Sequence, residues 1–195
     1  MIRSYFNRKA ATWDKTVAEK DTAKLRSMAE RLHLQPGFTV LDVGTGTGVF
    51  LPYILEKIGG KSRIAALDVA NEMLLRAKAK DFNSNICYLC ADIMDIPLSD
   101  TIFDAVVCYS SFPHFRDKPK AFAEMYRVLK KGGRLSICHT SSREKINEIH
   151  HSIEVVQHDT IPEKDEMLAM LKQAGFTEIQ IEDGSESYLA SAVKR

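Results

Sequence analysis

The sequence predicts an α/β protein built around a parallel sheet, and two patterns support this prediction. From residue 38 onward, short apolar runs rich in β-branched residues alternate with segments in which apolar residues recur at helical spacing. This alternation is typical of βαβ units, whose strands are apolar throughout because helices cover both faces of the sheet. Five parallel strands are predicted, at residues 38–43, 63–67, 86–90, 103–108 and 134–139.

The C-terminal residues follow a different pattern. Apolar and polar residues alternate over 176–182 and over 186–193, which is typical of strands with one exposed face. Between them stands Asp183-Gly184, a dipeptide suited to a tight hairpin turn. We therefore expect an antiparallel hairpin at the edge of the sheet.

Helices are predicted where apolar residues recur three and four positions apart, as in Leu25, Met28, Ala29 and Leu32, and in Phe122, Met125, Tyr126 and Leu129. Another helix is expected to begin near Pro162. The longest stretch without a regular pattern spans residues 140–161 and has room for a short helix.

The composition indicates one ordinary globular domain. The 195 residues are 45% hydrophobic and 27% charged, so we expect a single domain over residues 1–195. A formal net charge of +1 gives no overall attraction to nucleic acid or to an anionic membrane, and it favours a small-molecule partner. The N-terminal residues lack the apolar core of a secretion signal, and no run is long enough for a membrane helix. We expect a cytoplasmic monomer or homodimer.

Cysteine and histidine clusters raise the question of a metal site. Four cysteines, at positions 87, 90, 108 and 138, all fall in predicted strands, where we expect reduced and buried thiols. Cys87 and Cys90 are three apart in a strand and so point to opposite faces, which disfavours a shared ion. The histidines in or beside residues 140–161 leave metal binding open as an alternative to a solvated, histidine-rich helix, at positions 139, 150, 151 and 158. We expect the solvated helix and no metal.

The chemistry-bearing motif is VLDVGTGTGVF, at the end of the first predicted strand. Its glycines, Gly44, Gly46 and Gly48, allow the backbone to approach a ligand at the edge of the sheet. The second strand ends in Asp68, twenty-four residues after Gly44, where a carboxylate can accept hydrogen bonds from both hydroxyls of a ribose. A nucleoside is the ligand that this spacing implies.

The third strand and the glycine spacing favour an adenosyl ligand over a dinucleotide. Asp92 offers a carboxylate to an adenine amino group, and Ile93 offers an apolar side chain to the ring. The dinucleotide fingerprint requires a small residue where Val49 stands, and no second domain is available for a dehydrogenase substrate. A nicotinamide-dependent oxidoreductase and a non-catalytic nucleoside-binding or RNA-binding module remain the alternatives.

Four blocks carry a family resemblance: VLDVGTGTG, the strand ending in ALD, ADIMDIPLSDTIFDAVVC, and FPHFRDKPKAFAEMYRVLKKGGRL. Together they resemble the class I S-adenosylmethionine-dependent methyltransferases, particularly the small-molecule branch that includes the ubiquinone and menaquinone methyltransferases. The sequence departs from that pattern at Lys131, where proline is usual, and at His114, which keeps only the second of a common His-His pair.

The resemblance implies both a fold and a reaction. The fold is a Rossmann-like three-layer sandwich with a seven-stranded, mostly parallel sheet of order 3-2-1-4-5-7-6 and an antiparallel C-terminal hairpin. The reaction is methyl transfer from S-adenosyl-L-methionine to a small-molecule acceptor, with S-adenosyl-L-homocysteine as the product.

The resemblance also assigns the cofactor residues. The glycine turn, with Thr45, wraps the methionyl end, and Asp42 corresponds to the family's acidic residue near the methionine ammonium. The remaining contacts come from the ends of the following strands. The residues so implied are Asp42, Gly44, Thr45, Gly46, Gly48, Asp68, Val69, Asp92, Ile93 and Tyr109.

A general base is needed only for an acceptor that arrives protonated. His114, after the fourth strand, is the first candidate and His139 the second, while Tyr109 is expected to line the methyl path. Each histidine has the alternative of shaping the pocket without transferring a proton.

The first 35 residues form an N-terminal segment, and residues 140–161 form an insertion expected to shape the acceptor site. The aromatic residues Tyr5, Phe6 and Trp13 are predicted to close over the cofactor as a lid, the alternative being simple packing of the first helix on the core.

Overall fold

The computed structural model describes residues 2–59, 62–82 and 85–195. Seven strands in this part of the chain form one sheet, in the order β3-β2-β1-β4-β5-β7-β6. The strands are β1 (Thr39–Val43), β2 (Arg63–Asp68), β3 (Ile86–Cys90), β4 (Phe103–Tyr109), β5 (Leu129–His139), β6 (Phe176–Asp183) and β7 (Tyr188–Lys194). β1 to β5 are mutually parallel, and β7 runs antiparallel to both β5 and β6. The strand order implied by the resemblance is confirmed.

Eight α-helices surround the sheet in the described ranges, together with turns of 3₁₀ helix at Phe112–His114 and Glu154–Val156. The helices are α1 (Ile2–Lys9), α2 (Trp13–Thr16), α3 (Thr22–Arg31), α4 (Leu51–Ile58), α5 (Asn71–Ala79), α6 (Lys118–Val128), α7 (Arg143–His151) and α8 (Lys164–Gln173). None of these helices combines the length and apolarity that crossing a membrane requires.

The side chains of alternate residues in the central strands pack into two separate hydrophobic cores, one on each face of the sheet. Val40 of β1 packs into a cluster with α3 and α4, whereas its neighbour Leu41 packs into a cluster with α6 and α8 on the opposite face. Both side chains are fully buried. This alternation follows from the two-residue period of a strand and produces the predicted three-layer sandwich.

Polar side chains fix where several helices begin. Asp21 accepts hydrogen bonds from the amides of Ala23 and Lys24 at 3.0 and 3.1 Å, which caps α3. Asp117 caps α6 through the amide of Lys120 at 2.9 Å. These carboxylates satisfy amides that have no partner within the first turn of a helix.

Most predicted strand boundaries differ from the structure by no more than two residues, and the start of β5 differs by more. β5 begins at Leu129, five residues before its predicted start, because Leu129 already pairs with Phe103 of β4. The register then shifts, and regular pairing resumes where Arg134 pairs with Ala105. The helical stripe therefore ends at Val128. The tight turn at Asp183-Gly184 was also wrong, since Asp183 still pairs with Tyr188 and residues 184–187 form a four-residue connection.

The predicted burial of all four cysteines was wrong for two of them. Cys108 and Cys138 are buried, but Cys87 and Cys90 are exposed. Both exposed thiols belong to β3, which is an edge strand of the sheet and pairs with β2 on one side. A pattern of apolar residues does not distinguish an edge strand from a central one.

The stretch at residues 140–161 holds α7 and the second 3₁₀ turn, so most of it is regular. Asn147 ties α7 to the last residue of the segment, because its side chain bonds both the carbonyl and the amide of Ile161 at 3.0 and 2.8 Å. The segment is thus a folded helical element above the end of β5.

The packing of α6 predicts a large effect for one core substitution. Phe122 is fully buried, with its ring centroid 5.1 Å from that of Phe112. Phe122→Ala should lower the free energy of unfolding by about 3–5 kcal/mol, because it removes apolar surface and leaves a cavity. Urea denaturation measures this loss, and Leu75→Ala is the control, since Leu75 is 51% exposed and its truncation should cost below about 0.5 kcal/mol. Equal losses would contradict the placement of the core.

Candidate active site

A cavity of about 680 Å³ opens at the carboxyl ends of β1, β2, β4 and β5. Its walls come from the turn after β1, the loops after β2, β3 and β4, the start of the 140–161 segment, and the N-terminal residues up to Lys20. Loops that follow parallel strands meet at one edge of the sheet, where α/β proteins place their ligands.

The turn after β1 depends on glycine at position 44. Gly44 has φ +69°, and a Cβ there would lie 2.2 Å from Cβ of Ser111. Ser111, in the loop after β4, donates a hydrogen bond to the carbonyl of Val43 at 2.8 Å. The two loops pass this closely only without a side chain at Gly44.

The other two glycines serve different purposes. Gly46 has φ +56° and lines the cavity. Gly48, with φ +78°, lies off the cavity wall, and a Cβ there would stand 3.1 Å from Leu51 and 3.2 Å from Ala77. Gly48 therefore allows close packing of the turn against α4 and α5, and it offers the ligand no direct surface.

Asp68 joins the glycine turn to the end of β2. Its two carboxylate oxygens accept hydrogen bonds from the amides of Gly46 and Ala70, each at 2.8 Å. The side chain is buried, which raises the pKa of the carboxyl group, and it lies on the cavity wall. Each carboxylate oxygen can accept a further hydrogen bond, so the pair remains able to bind a diol.

Asp42 is buried behind the wall rather than on it. Thr45, which does line the cavity, donates a hydrogen bond from its hydroxyl to Asp42. Burial raises the pKa of Asp42 to about 7. Asp42 therefore reaches the cavity through Thr45.

The remaining predicted cofactor residues line the wall near the ends of β2 and β3. Asp92 and Ile93 sit side by side there, with one carboxylate oxygen of Asp92 accepting from the amide of Met94 at 3.0 Å. Val69 is also on the wall, and its carbonyl accepts from Nε of Arg3 at 2.7 Å. An apolar side chain beside a carboxylate suits the face and amino edge of a purine.

Tyr109 stands at the end of β4 with its hydroxyl inside the protein. Its ring stacks on Phe50 with centroids 4.4 Å apart, and its hydroxyl bonds that of Thr140 at 2.9 Å. Burial raises the pKa of Tyr109 to about 12, so the side chain is neutral and can only donate or accept a hydrogen bond.

The two candidate bases have different surroundings. His114 lines the cavity, and its Nδ1 lies 2.8 Å from a carboxylate oxygen of Asp159. His139 also lines the cavity but is 3% exposed, and its buried Nε2 has no hydrogen-bond partner in the described residues. Burial lowers the pKa of His139 to about 3, which makes it a weak base at neutral pH.

Asp159 and His150 are site residues that the sequence did not reveal as such. The ring of His150 lies 4.8 Å from that of His114 between centroids, and its Nδ1 is 2.6 Å from the carbonyl of Asp159. The expected solvated histidine helix was wrong for His150, which is half-buried on the cavity wall, whereas His151 and His158 are exposed. In the part of the chain that the structure describes, no three ligating side chains are grouped to hold a metal ion.

The N-terminal helices lie over the cavity. Phe6 and Trp13 line it, and Phe6 packs edge-on against His114 at 5.0 Å between centroids, while Tyr5 packs on Phe6 away from the wall. Asp14 holds this segment in place by bonding Lys80 at 2.8 Å and the hydroxyl of Thr47.

Comparison with known proteins places this site in a family. Residues 41–137 match the model of the methyltransferase domain family. The chain is also 30% identical over 169 residues to an O-methyltransferase, rstn1, of Aspergillus nomiae, covering 81% of this chain and 72% of that protein. The chain belongs to the class I S-adenosylmethionine-dependent methyltransferases. The family assignment favours methyl transfer over the alternative of a nicotinamide-dependent oxidoreductase.

Other relatives of this methyltransferase are matched over smaller shares of their length. Methyltransferase GfsG of Streptomyces halstedii is 27% identical over 87% of this chain and 64% of its own. A 2-phytyl-1,4-beta-naphthoquinone methyltransferase of Arabidopsis thaliana is 36% identical over 52% of this chain and 41% of its own. The chain thus spans less than two thirds of these two relatives.

A solved structure matches the methyltransferase nearly end to end. A SAM-dependent methyltransferase from Aquifex aeolicus has a TM-score of 0.78 and 25% identity, covering 97% of this chain and 98% of that one. The likeness therefore extends over nearly the whole of both chains.

The burial of Asp42 predicts a specific pH dependence of stability. Its pKa is about 7 in the folded protein against 3.8 as the ordinary value, so between pH 4 and 7 the folded state holds a proton that the unfolded state has lost. This group's contribution to stability therefore falls as pH rises through that window, by a few kcal/mol in total. Asp42→Asn should flatten the slope, as measured by urea denaturation at several pH values. Parallel slopes for the two proteins would contradict the buried, protonated carboxyl group.

Proposed function

We propose that this chain is a single methyltransferase unit, residues 1–195, that transfers the methyl group of S-adenosylmethionine to a small-molecule acceptor. One observation carries the proposal: the glycine turn, Asp68 and the Asp92-Ile93 pair converge on one cavity large enough for both ligands. Its volume, about 680 Å³, lies within the range of roughly 300–1,000 Å³ typical of small-molecule sites.

The cavity wall fits the cofactor group by group. Asp68 presents two acceptor oxygens to the ribose hydroxyls, and Asp92 with Ile93 takes the adenine, with Val69 beside them. Gly44, Thr45 and Gly46 form the wall on the methionyl side, with Asp42 supporting Thr45 from behind. The aromatic rings of Phe6, Trp13 and Phe50 complete the wall, and such faces attract a positive sulfonium.

The bound cofactor supplies an electrophilic methyl group on a positively charged sulfur. The protein's task is to hold the acceptor atom in line with that methyl group and to keep water away. Alignment of two reactants can lower a barrier by about 7–11 kcal/mol. Tyr109 and Phe50 form a rigid stacked wall beside the reacting region, and Phe6 and Trp13 close it from above as a lid.

The acceptor enters where the cofactor walls end. The three residues predicted as catalytic line this region of the cavity. His114 is the proposed base, whereas Tyr109 and His139 are neutral side chains that can form hydrogen bonds with the acceptor. The names of the relatives, which describe methylation of quinones and of oxygen atoms, support a small organic acceptor. The helical 140–161 segment provides Ile146 and His150 to this end of the cavity.

The ribose contact gives the first test. Asp68→Asn should weaken binding of S-adenosylhomocysteine by about 1.5–3 kcal/mol, roughly tenfold to a hundredfold, because a charged acceptor is replaced by a neutral amide. Isothermal titration calorimetry measures the affinity, and the thermal midpoint of the free protein checks the fold. Asp95→Asn is the matched control, since Asp95 is exposed three residues after Asp92 and its side chain has no polar contact in the described residues. Unchanged affinity, or stabilisation by NAD and not by the adenosyl ligand, would refute the proposal.

The lid gives the second test. Trp13 is the only tryptophan of the sequence and lies on the cavity wall, so its fluorescence should change when S-adenosylhomocysteine binds. Phe6→Ala should speed dissociation several-fold in stopped-flow measurements, because the lid loses an aromatic wall. Ser4→Ala, an exposed change in the same helix, should leave the rate as it is. Equal rates for both variants would show that the N-terminal segment merely packs on the core.

A further inference from the structure

We propose that the acceptor is a phenol-type hydroxyl whose proton is taken by His114, and that Asp159 is the positioning residue that orients His114 for this step. This inference rests on the proposed methyltransferase function and adds the acceptor class and a residue outside the cavity wall. It starts from the His114–Asp159 contact, which couples the loop after β4 to the 140–161 segment.

The contact fixes the chemical state of His114. A carboxylate can only accept a hydrogen bond, so Nδ1 of His114 carries the proton that is shared with Asp159 at 2.8 Å. In the neutral ring the lone pair then resides on Nε2, which has no hydrogen-bond partner in the described residues. The carboxylate holds one ring nitrogen of this cavity histidine and thereby fixes the orientation of the other. In this arrangement the imidazole can act as a base.

Asp159 holds a second imidazole as well. Its carbonyl accepts from Nδ1 of His150 at 2.6 Å, which again leaves the lone pair on Nε2. The rings of His114 and His150 lie 4.8 Å apart between centroids, and both line the cavity. One residue thus sets the tautomer of two neighbouring histidines on the acceptor side of the cavity.

Among the residues that the structure describes, one of the three cavity histidines, His114, has a carboxylate partner. His139 and His150 are held neutral because burial lowers the pKa of each. His114 alone is paired with an acidic side chain, and that pair is partly buried, with exposed fractions of 14% and 25%. A positive charge that forms on the imidazole of His114 during proton transfer therefore has a carboxylate within hydrogen-bond distance of Nδ1.

The side chains around His114 indicate what kind of acceptor molecule donates its proton to this histidine. Phe6 packs edge-on against the imidazole, Phe115 follows it in the chain, and Ile146 faces the same cavity from α7. These side chains suit a flat, apolar body, and the imidazole suits a weakly acidic hydroxyl on it. A phenol, with an ordinary pKa of about 10, is mostly protonated at neutral pH and so requires a base.

The proposed step is balanced in atoms and charge. The proton of the acceptor O–H passes to Nε2 of His114, and an oxygen electron pair forms the new O–CH3 bond. The S–CH3 bond breaks as its electron pair returns to the positive sulfur, which leaves neutral S-adenosylhomocysteine. The imidazolium, paired with Asp159, later releases its proton to solvent.

The test uses a series of phenols of increasing acidity, from 4-methylphenol and 2-naphthol to 4-nitrophenol, with S-adenosylmethionine at pH 8. We expect the native chain to methylate members of this series at oxygen, as read by product mass. His114→Gln should lower kcat about a hundredfold or more on 4-methylphenol. The loss should shrink toward none on 4-nitrophenol, which arrives largely ionised and needs no base.

Asp159→Asn supplies the second variant and should show the same dependence on acceptor acidity with a smaller loss, about tenfold on 4-methylphenol. Asp159→Glu, which keeps the carboxylate, should recover part of it. Asp165→Asn is the matched control, because Asp165 is an exposed acid at the start of α8 without a polar contact in the described residues. A merely structural role for Asp159 would slow all phenols equally and would overturn its assignment.

The outcomes separate this inference from the function on which it rests. Each variant is first titrated with S-adenosylhomocysteine, and a native chain that does not bind it refutes the methyltransferase proposal itself. Binding of the cofactor product, with no phenol methylated and none raising the thermal midpoint of the loaded protein, overturns the acceptor class alone. Methylation of aliphatic amines or thiols in preference to phenols does the same.

Discussion

The site depends on the buried carboxylate of Asp68 at the end of β2. Its two oxygens hold the amide of Gly46 in the turn after β1 and the amide of Ala70 at the start of α5. Two adjacent strand ends are thereby locked at a fixed separation, and the carboxylate that locks them still faces the cavity. Because buried amides and carboxylates must be paired, the same interaction stabilises the fold and holds the carboxylate in a fixed position at the cavity.

Burial decides which polar groups of the cavity carry charge. The pKa of Asp42 rises to about 7, that of Tyr109 rises to about 12, and that of His139 falls to about 3, in each case because the charged form loses contact with water. His114 differs in having a carboxylate partner in Asp159. Tyr109 and His139 are therefore neutral hydrogen-bonding groups near neutral pH, whereas the acidic side chains of Asp68 and Asp92 lie on the same cavity wall.

The cavity is completed by segments far apart in the chain. The N-terminal helices contribute Phe6 and Trp13, and the 140–161 segment contributes Ile146 and His150. The first group is anchored by Asp14 to Lys80 and Thr47, and the second is held together internally by the contact of Asn147 with Ile161. Both sets of polar contacts join residues that lie outside the strands of the sheet. The sequences of the elements that close the cavity can therefore vary without altering the central fold.

The sequence alone predicted most strands of the central sheet, and it predicted that the glycine turn and the acids at the strand ends meet at one edge, because these are local patterns whose geometry a parallel sheet fixes. It did not reveal that β3 is an edge strand with exposed Cys87 and Cys90, nor that residues 184–187 form the hairpin connection. It also missed Asp159, whose carboxylate meets His114 across 45 positions of sequence. Contacts of that kind depend on how helices dock over the sheet edge, and only the tertiary structure decides which side chains then meet.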